Sequence, residues 1–187
     1  MRYGLSITVE PAIEPVTTAE AKTHLRVETT ADDTYIDSLV ATARQMVENR
    51  TQRALITQTL VTTLDRFPPS LLFAPDAARI AVYDPRIDPA IYLPRSPTQS
   101  ITSIQYVDDA GATQTLAASK YTLDTSSLVP RIVPAYSEIW PTTRPVVNAV
   151  TITFKAGYGD AATDVPDPLI HAIKLIVGTY YDPVRAN

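Results

Sequence analysis

The residues that could carry chemistry are few, and the first candidates lie near the C-terminal end, in TITFKAGYGDAATDVPDPLIHAI (residues 151–173). An alternating apolar run leads into Gly157-Tyr158-Gly159, and a helical pattern follows. Strand, glycine loop and helix is the order that builds phosphate sites, because a helix N-terminus offers free N–H groups to an anion. A Walker loop also needs GxxxxGK[ST], and a dinucleotide loop needs GxGxxG. This chain has only the first half of the second pattern. Asp160, Asp164 and Asp167 stand between the glycines and the helix with no cation among them. Acids at a helix start stabilise the helix but repel a phosphate. The loop therefore reads as a corner, where Gly157 and Gly159 permit backbone angles that other residues resist, and as a candidate hinge.

Histidine chemistry has two candidates, His24 between Ala21 and Leu25 and His171 beside Leu169 and Ile170. No GxSxG nucleophile elbow accompanies either of them. Both read as residues at a core boundary. The chain has no cysteine, which excludes thiol chemistry and fits a reducing compartment. The acid groups Asp32-Asp33-Asp37 and Asp160-Asp164-Asp167 lack the spacing of a calcium loop and flank helix starts, where acids have a structural use. Distant paired carboxylates remain open to a hydrolase, but one Trp and three Phe give them no aromatic platform. The ten tyrosines fit either sheet surface or a protein interface. The expectation is a protein that is not an enzyme and uses no cofactor or metal.

Sixteen basic and 20 acidic residues give a net charge of −4, against a DNA grip through phosphates. A mildly acidic surface that DNA slides past is allowed. No run of about 18 apolar residues exists to span a membrane. The opening MRYGLSITVEPAIEP carries Glu10 and two prolines where a signal peptide needs an apolar stretch, so a cytoplasmic protein is expected.

The elements that must position these residues follow from the pattern. Thr17 and Glu20 form a capping box for a short helix ending near Arg26. Asp32-Asp33 offers a second N-cap, and Ile36, Leu39, Val40, Ala43, Met46 and Val47 make an apolar stripe down to Thr51-Gln52. Asp37, Arg44, Glu48 and Arg50 are assigned to the opposite, polar face. From Ile56 the period changes to two, with Leu60, Thr62 and Leu64 on one side of a strand. Residues 66–90 are a proline-rich excursion with one short strand at Ile80–Tyr83. Strands are expected at 91–93, 101–107, 121–123, 131–133 and 147–154, with a hairpin from 101–107 through Asp108–Gly111 to 113–116. Pro166-Asp167-Pro168 opens a last helix, too apolar for a surface element and therefore largely buried, which Pro183 should end. The class is α+β: a small antiparallel helical bundle of two N-terminal helices and one C-terminal helix, with an inserted β-rich subdomain. The expected boundaries are 1–55, 56–156 and 157–187.

Several stretches taken in order resemble one family. EPVTTAEAKTHLRV (14–27), ATARQMVE (41–48) with TQRAL (51–55), ITQT (56–59), LPRSP (93–97), SITSI (100–104), YVD (106–108), VTITFKAGYG (150–159), VPDPL (165–169) and Tyr180-Tyr181 are similar to the head–tail connector (adaptor) proteins of tailed bacteriophages, also found in prophages and gene transfer agents. The resemblance covers most of the chain. Gln52 stands where the family has Gly after Thr, which would let the helix run on by a turn. The 66–90 excursion is longer than usual, and Pro183 stands where related chains continue helical.

The resemblance implies a structural ring, commonly of twelve subunits, docked under the portal protein in the neck of a virion assembled in the host bacterial cytoplasm. It would lengthen the channel, pass DNA as cargo and present a surface to a stopper or tail protein. Carried onto this chain, the portal-facing candidates are Tyr180, Tyr181, Asp182, Val184 and Arg185. Contacts between neighbouring subunits fall to Arg44, Glu48, Arg50 and Arg53. The second reading is a non-catalytic β module on a helical base that binds a glycan or peptide.

Overall fold

In the computed structural model the described residues are 4–69 and 88–185, with 182–185 as backbone. The expected strand at Ile80–Tyr83 lies outside them. Contacts divide the chain into two units, Met1–Val9 with Thr59–Lys155 and Glu10–Gln58 with Ala156–Asn187.

The second unit is helical. Helix α1 spans Thr18–Leu25, α2 Asp33–Thr51 and α3 Asp167–Arg185. The capping box at α1 is present: Glu20 N–H donates to Thr17 Oγ1 at 3.2 Å, and Thr17 N–H donates to the Glu20 carboxylate at 2.9 Å. Both α1 and α2 stop on a left-handed residue, Arg26 at φ 58° and Gln52 at φ 55°. The extra turn allowed by Gln52 is thus not taken. Its backbone N–H bonds back to the Glu48 carbonyl, and its side chain donates to the Asn49 carbonyl at 2.7 Å, so local bonds accompany a conformation glycine would adopt freely.

The three helices bury one apolar cluster, including Val16, Ala21, Ile36, Val40, Ala43, Leu55, Ile56, Val165, Ile173 and Val177. Two expectations for α3 fail. Only Ile173, Val177 and Tyr181 are fully buried among its described side chains, while Leu175 is 52% and Tyr180 45% exposed. A high apolar count does not entail all-round burial, because packing uses one stripe at spacings of four. The helix also continues through Pro183 to Arg185. Proline already has a helical φ, and near a helix end it forfeits one backbone bond without forcing a stop.

The first unit is β-rich. Strands β1 (Gly4–Val9), β2 (Gln58–Leu64), β4 (Thr98–Val107), β5 (Thr113–Thr115) and β8 (Val150–Ala156) form a five-stranded sheet in the order β1-β2-β8-β4-β5. Strands β3 (Ile91–Tyr92), β6 (Tyr121–Asp124) and β7 (Arg131–Pro134) form a second sheet, β3-β7-β6. In β2 the buried residues are Gln58, Leu60, Thr62 and Leu64, and in β8 Val150, Ile152, Phe154 and Ala156. That strict alternation packs one face and leaves the other half-covered. The β4–β5 hairpin forms with Gln105 opposite Thr115, turning at Gly111 with φ 89°. Phe67 stacks on Trp140 at 5.0 Å, and the Trp140 indole N–H donates to the Pro89 carbonyl at 2.7 Å.

Strand β1 has no counterpart among the sequence expectations. It pairs antiparallel with β2, Leu5 opposite Thr62 and Ile7 opposite Leu60, yet every one of its residues is exposed.

Candidate assembly surfaces

The candidate residues fall into three groups, all in the helical unit. The first is the buried face of α2. Arg44 and Glu48, four residues apart, were assigned to a polar outer face, but only 4% and 3% of their surfaces are exposed. Arg44 Nε donates to Glu14 at 2.8 Å, its Nη1 to Glu48 at 3.0 Å, and Glu10 lies 3.8 Å from its Nη2. The other oxygen of Glu48 accepts the Leu55 N–H and the Gln58 side-chain amide, each at 2.9 Å. Burial pulls the Arg44 pKa down, but the hydrogen bond and charge of Glu14, with Glu48 and Glu10 behind it, hold it above the ordinary value. A buried guanidinium needs this much compensation. The network ties the segment before α1, helix α2 and the 55–58 turn together. Arg50 is exposed on the last turn of α2, and Arg53 is half-buried, donating to the Tyr158 hydroxyl at 2.8 Å with its guanidinium 5.8 Å from that ring's centre.

The second group is the glycine joint. Tyr158 N–H donates to the Leu55 carbonyl at 3.0 Å and Thr57 N–H to the Gly159 carbonyl at 2.9 Å. Gly157 has φ 141°, and a Cβ there would stand 2.6 Å from the backbone of Ile56 and Thr57. Only glycine allows that approach. A Cβ on Gly159 would meet the Asp164 carboxylate, which accepts the Ala161 N–H at 3.0 Å. Asp164 thus caps the short 3-10 turn Ala162–Asp164 before α3, the structural use of acids at a helix approach.

The third group is the end of α3. The Tyr181 hydroxyl donates to Asp32 at 2.8 Å and its ring lies 6.3 Å from that of Tyr35, so Tyr181 closes the core. Asp32 occupies the α2 N-cap position, but its carboxylate caps nothing and holds Tyr181 instead. Tyr180, one residue earlier, faces outward. Asp182, Val184 and Arg185 follow in the last turn. Lys174 reaches Glu20 at 3.3 Å and Lys22 reaches Asp33 at 2.7 Å, binding α1 to its two neighbours. Thr17, by backbone and hydroxyl, holds the Glu20 carboxyl below the usual range, with Lys174 adding to it.

His24 and His171 are both exposed, and a Cβ on Gly178 would stand 3.6 Å from the His24 Nε2. Among the described residues, no group of three or more His, Asp or Glu is placed to hold a metal ion, and no helix is long and apolar enough to cross a membrane.

Comparison with known proteins gives a consistent result. Residues 16–108 match the family model of the phage gp6-like head-tail connector proteins. Among solved structures, a chain in the neck of an empty gene transfer agent particle computed with C6 symmetry is 24% identical, with 96% of this chain and 84% of that one covered, at a TM-score of 0.74. A chain in the virion of a native gene transfer agent particle is 25% identical over 95% of this chain and 84% of that one, at a TM-score of 0.73. A third, from the neck of a native particle computed with C12 symmetry, is 25% identical over 97% and 84%, at 0.64. No curated protein matches.

Proposed function

Because this chain belongs to the phage and gene transfer agent head–tail connector family, we propose that it is a structural adaptor of the neck, without catalysis, forming a ring beneath a portal protein. The observation that carries this reading is the near-complete match to a chain of a native gene transfer agent virion and to one of a native particle's neck. The ring extends the DNA channel and offers its far side to a stopper or tail protein. A cyclic array of one chain also gives each helical unit two neighbours, as heterologous contacts do.

Within that reading the end of α3 meets the portal through Tyr180, with Asp182, Val184 and Arg185 in the same turn. Tyr181, held on Asp32, fixes the direction in which that turn leaves the bundle. Between neighbouring subunits the outward-facing Arg50 and the half-exposed Arg53 make contact, while Arg44 and Glu48 hold the surface from within. The glycine joint is the place where the two units change angle on docking. The net charge of −4 keeps the channel wall from gripping DNA.

Mass photometry and negative-stain microscopy of the chain, alone at high concentration and mixed with its portal, test the proposal. Ring particles, or rings formed only on the portal, are expected. A chain that stays monomeric in both conditions and shows no affinity for the portal overturns it.

A further inference from the structure

Among the described residues, the five-stranded sheet ends at two edges, β1 and β5, with no further strand paired to either. Both strands are exposed along their whole length. Folded proteins guard such edges with charge or proline, because unpaired N–H and C=O groups recruit other strands. Charge and proline are both absent from GLSITV (4–9) and TQT (113–115), and what limits these edges is the three-residue length of β5 and a register irregularity between Ile7 and Val9 of β1. Strand β1 goes further: Leu5 and Ile7 sit opposite Thr62 and Leu60, which are buried, so the packed face of the sheet continues onto an apolar margin that is 36% and 40% exposed among the described residues.

We infer that β1 of one copy pairs with β5 of the next, joining neighbouring subunits of the ring through a shared sheet. This rests on the ring reading above. A ring of identical chains needs a heterologous contact, in which one patch meets a different patch on the neighbour. One sheet with two unlike edges, an apolar six-residue margin and a polar three-residue one, supplies such a pair, and the occupant of each edge is a second copy of this chain. Backbone pairing supplies the attraction and the covering of Leu5 and Ile7 adds to it.

The chain has no cysteine, so engineered thiols report cleanly. In the full chain, Ser6→Cys and Thr115→Cys are made singly and together and treated with a short bis-maleimide under ring-forming conditions, on the portal if rings form only there. Within one copy the two edges lie four strand spacings apart, about 19 Å, too far for a short linker. The double variant is expected to give a ladder of covalent multimers, and each single variant only monomers. Rings that form without a ladder overturn the edge pairing while leaving the ring reading intact. Dimers from Ser6→Cys alone also overturn it, since they show β1 meeting β1. A chain that makes no ring and no ladder, even on the portal, overturns both.

Discussion

Arg44 is a buried cation that answers three carboxylates, of which Glu48 is buried with it while Glu14 and Glu10 reach toward solvent. Removing one partner of a buried pair strands the others, so Arg44→Ala is expected to cost about 3–5 kcal/mol in urea unfolding. Glu48→Gln keeps an acceptor for the Leu55 N–H and should cost less. A loss for Arg44→Ala within experimental error would mean the network is ornamental. Gly157→Ala forces a side chain onto backbone atoms at 2.6 Å in a conformation that alone costs about 1–3 kcal/mol, so the folded state itself is expected to weaken. Gly159→Ala meets the Asp164 side chain instead, which can turn away, and should be milder. Loss of assembly in the double alanine variant therefore speaks to a hinge only if its melting temperature is unchanged. Glu20 supplies the pH dependence. Its folded pKa lies below its unfolded one, so its contribution is present above the ordinary Glu range and is lost as pH falls through the folded value. Glu20→Gln should flatten that part of an acid titration followed by circular dichroism.

At the scale of elements, α3 separates stability from surface. Ile173 is fully buried, and Ile173→Ala should cost about 2–5 kcal/mol. Leu175→Lys, on the open side of the same helix, should change unfolding by no more than about 0.5 kcal/mol. An unfolding midpoint for Leu175→Lys as low as that of Ile173→Ala would contradict the assignment of faces. The elements themselves were largely legible. Thr17 with Glu20, the period-two run after Ile56 and Pro166-Asp167-Pro168 each have a local cause, and local causes show in a short window. What stayed hidden depended on distance. Strand β1 carries its alternation, Leu5, Ile7 and Val9, openly, but its partner lies some fifty residues on, and a lone strand gives no stable signal. Arg44 and Glu48 read as a polar face because they are charged and lie outside the apolar stripe of α2. Only the fold brings Glu14, Leu55 and Gln58 to them. Of the assembly candidates, the sequence singled out Tyr180 and Tyr181 as neighbours, yet one faces outward and the other closes the core. That division depends on where Asp32 and Tyr35 stand in three dimensions.

For the whole molecule, charge and connectivity set behaviour that no single residue does. With 20 acids against 16 bases, the free chain should not retain duplex DNA at physiological salt, and fluorescence anisotropy with a labelled duplex checks this. Tight, salt-sensitive binding would point to a basic face and away from a smooth channel wall. The connectivity matters more for how the protein comes to exist. Strand β8, residues 150–156, sits in the middle of the five-stranded sheet, between β2 and β4. The helical core likewise waits for α3, which begins at Asp167. A ribosome extending the chain at about 5–20 residues per second therefore finishes neither unit until its last seconds of work. The N-terminal strand and helices must wait, half-covered, for sequence not yet translated. A nascent chain arrested near residue 145 should thus be cut readily by protease throughout, while the released full-length protein resists.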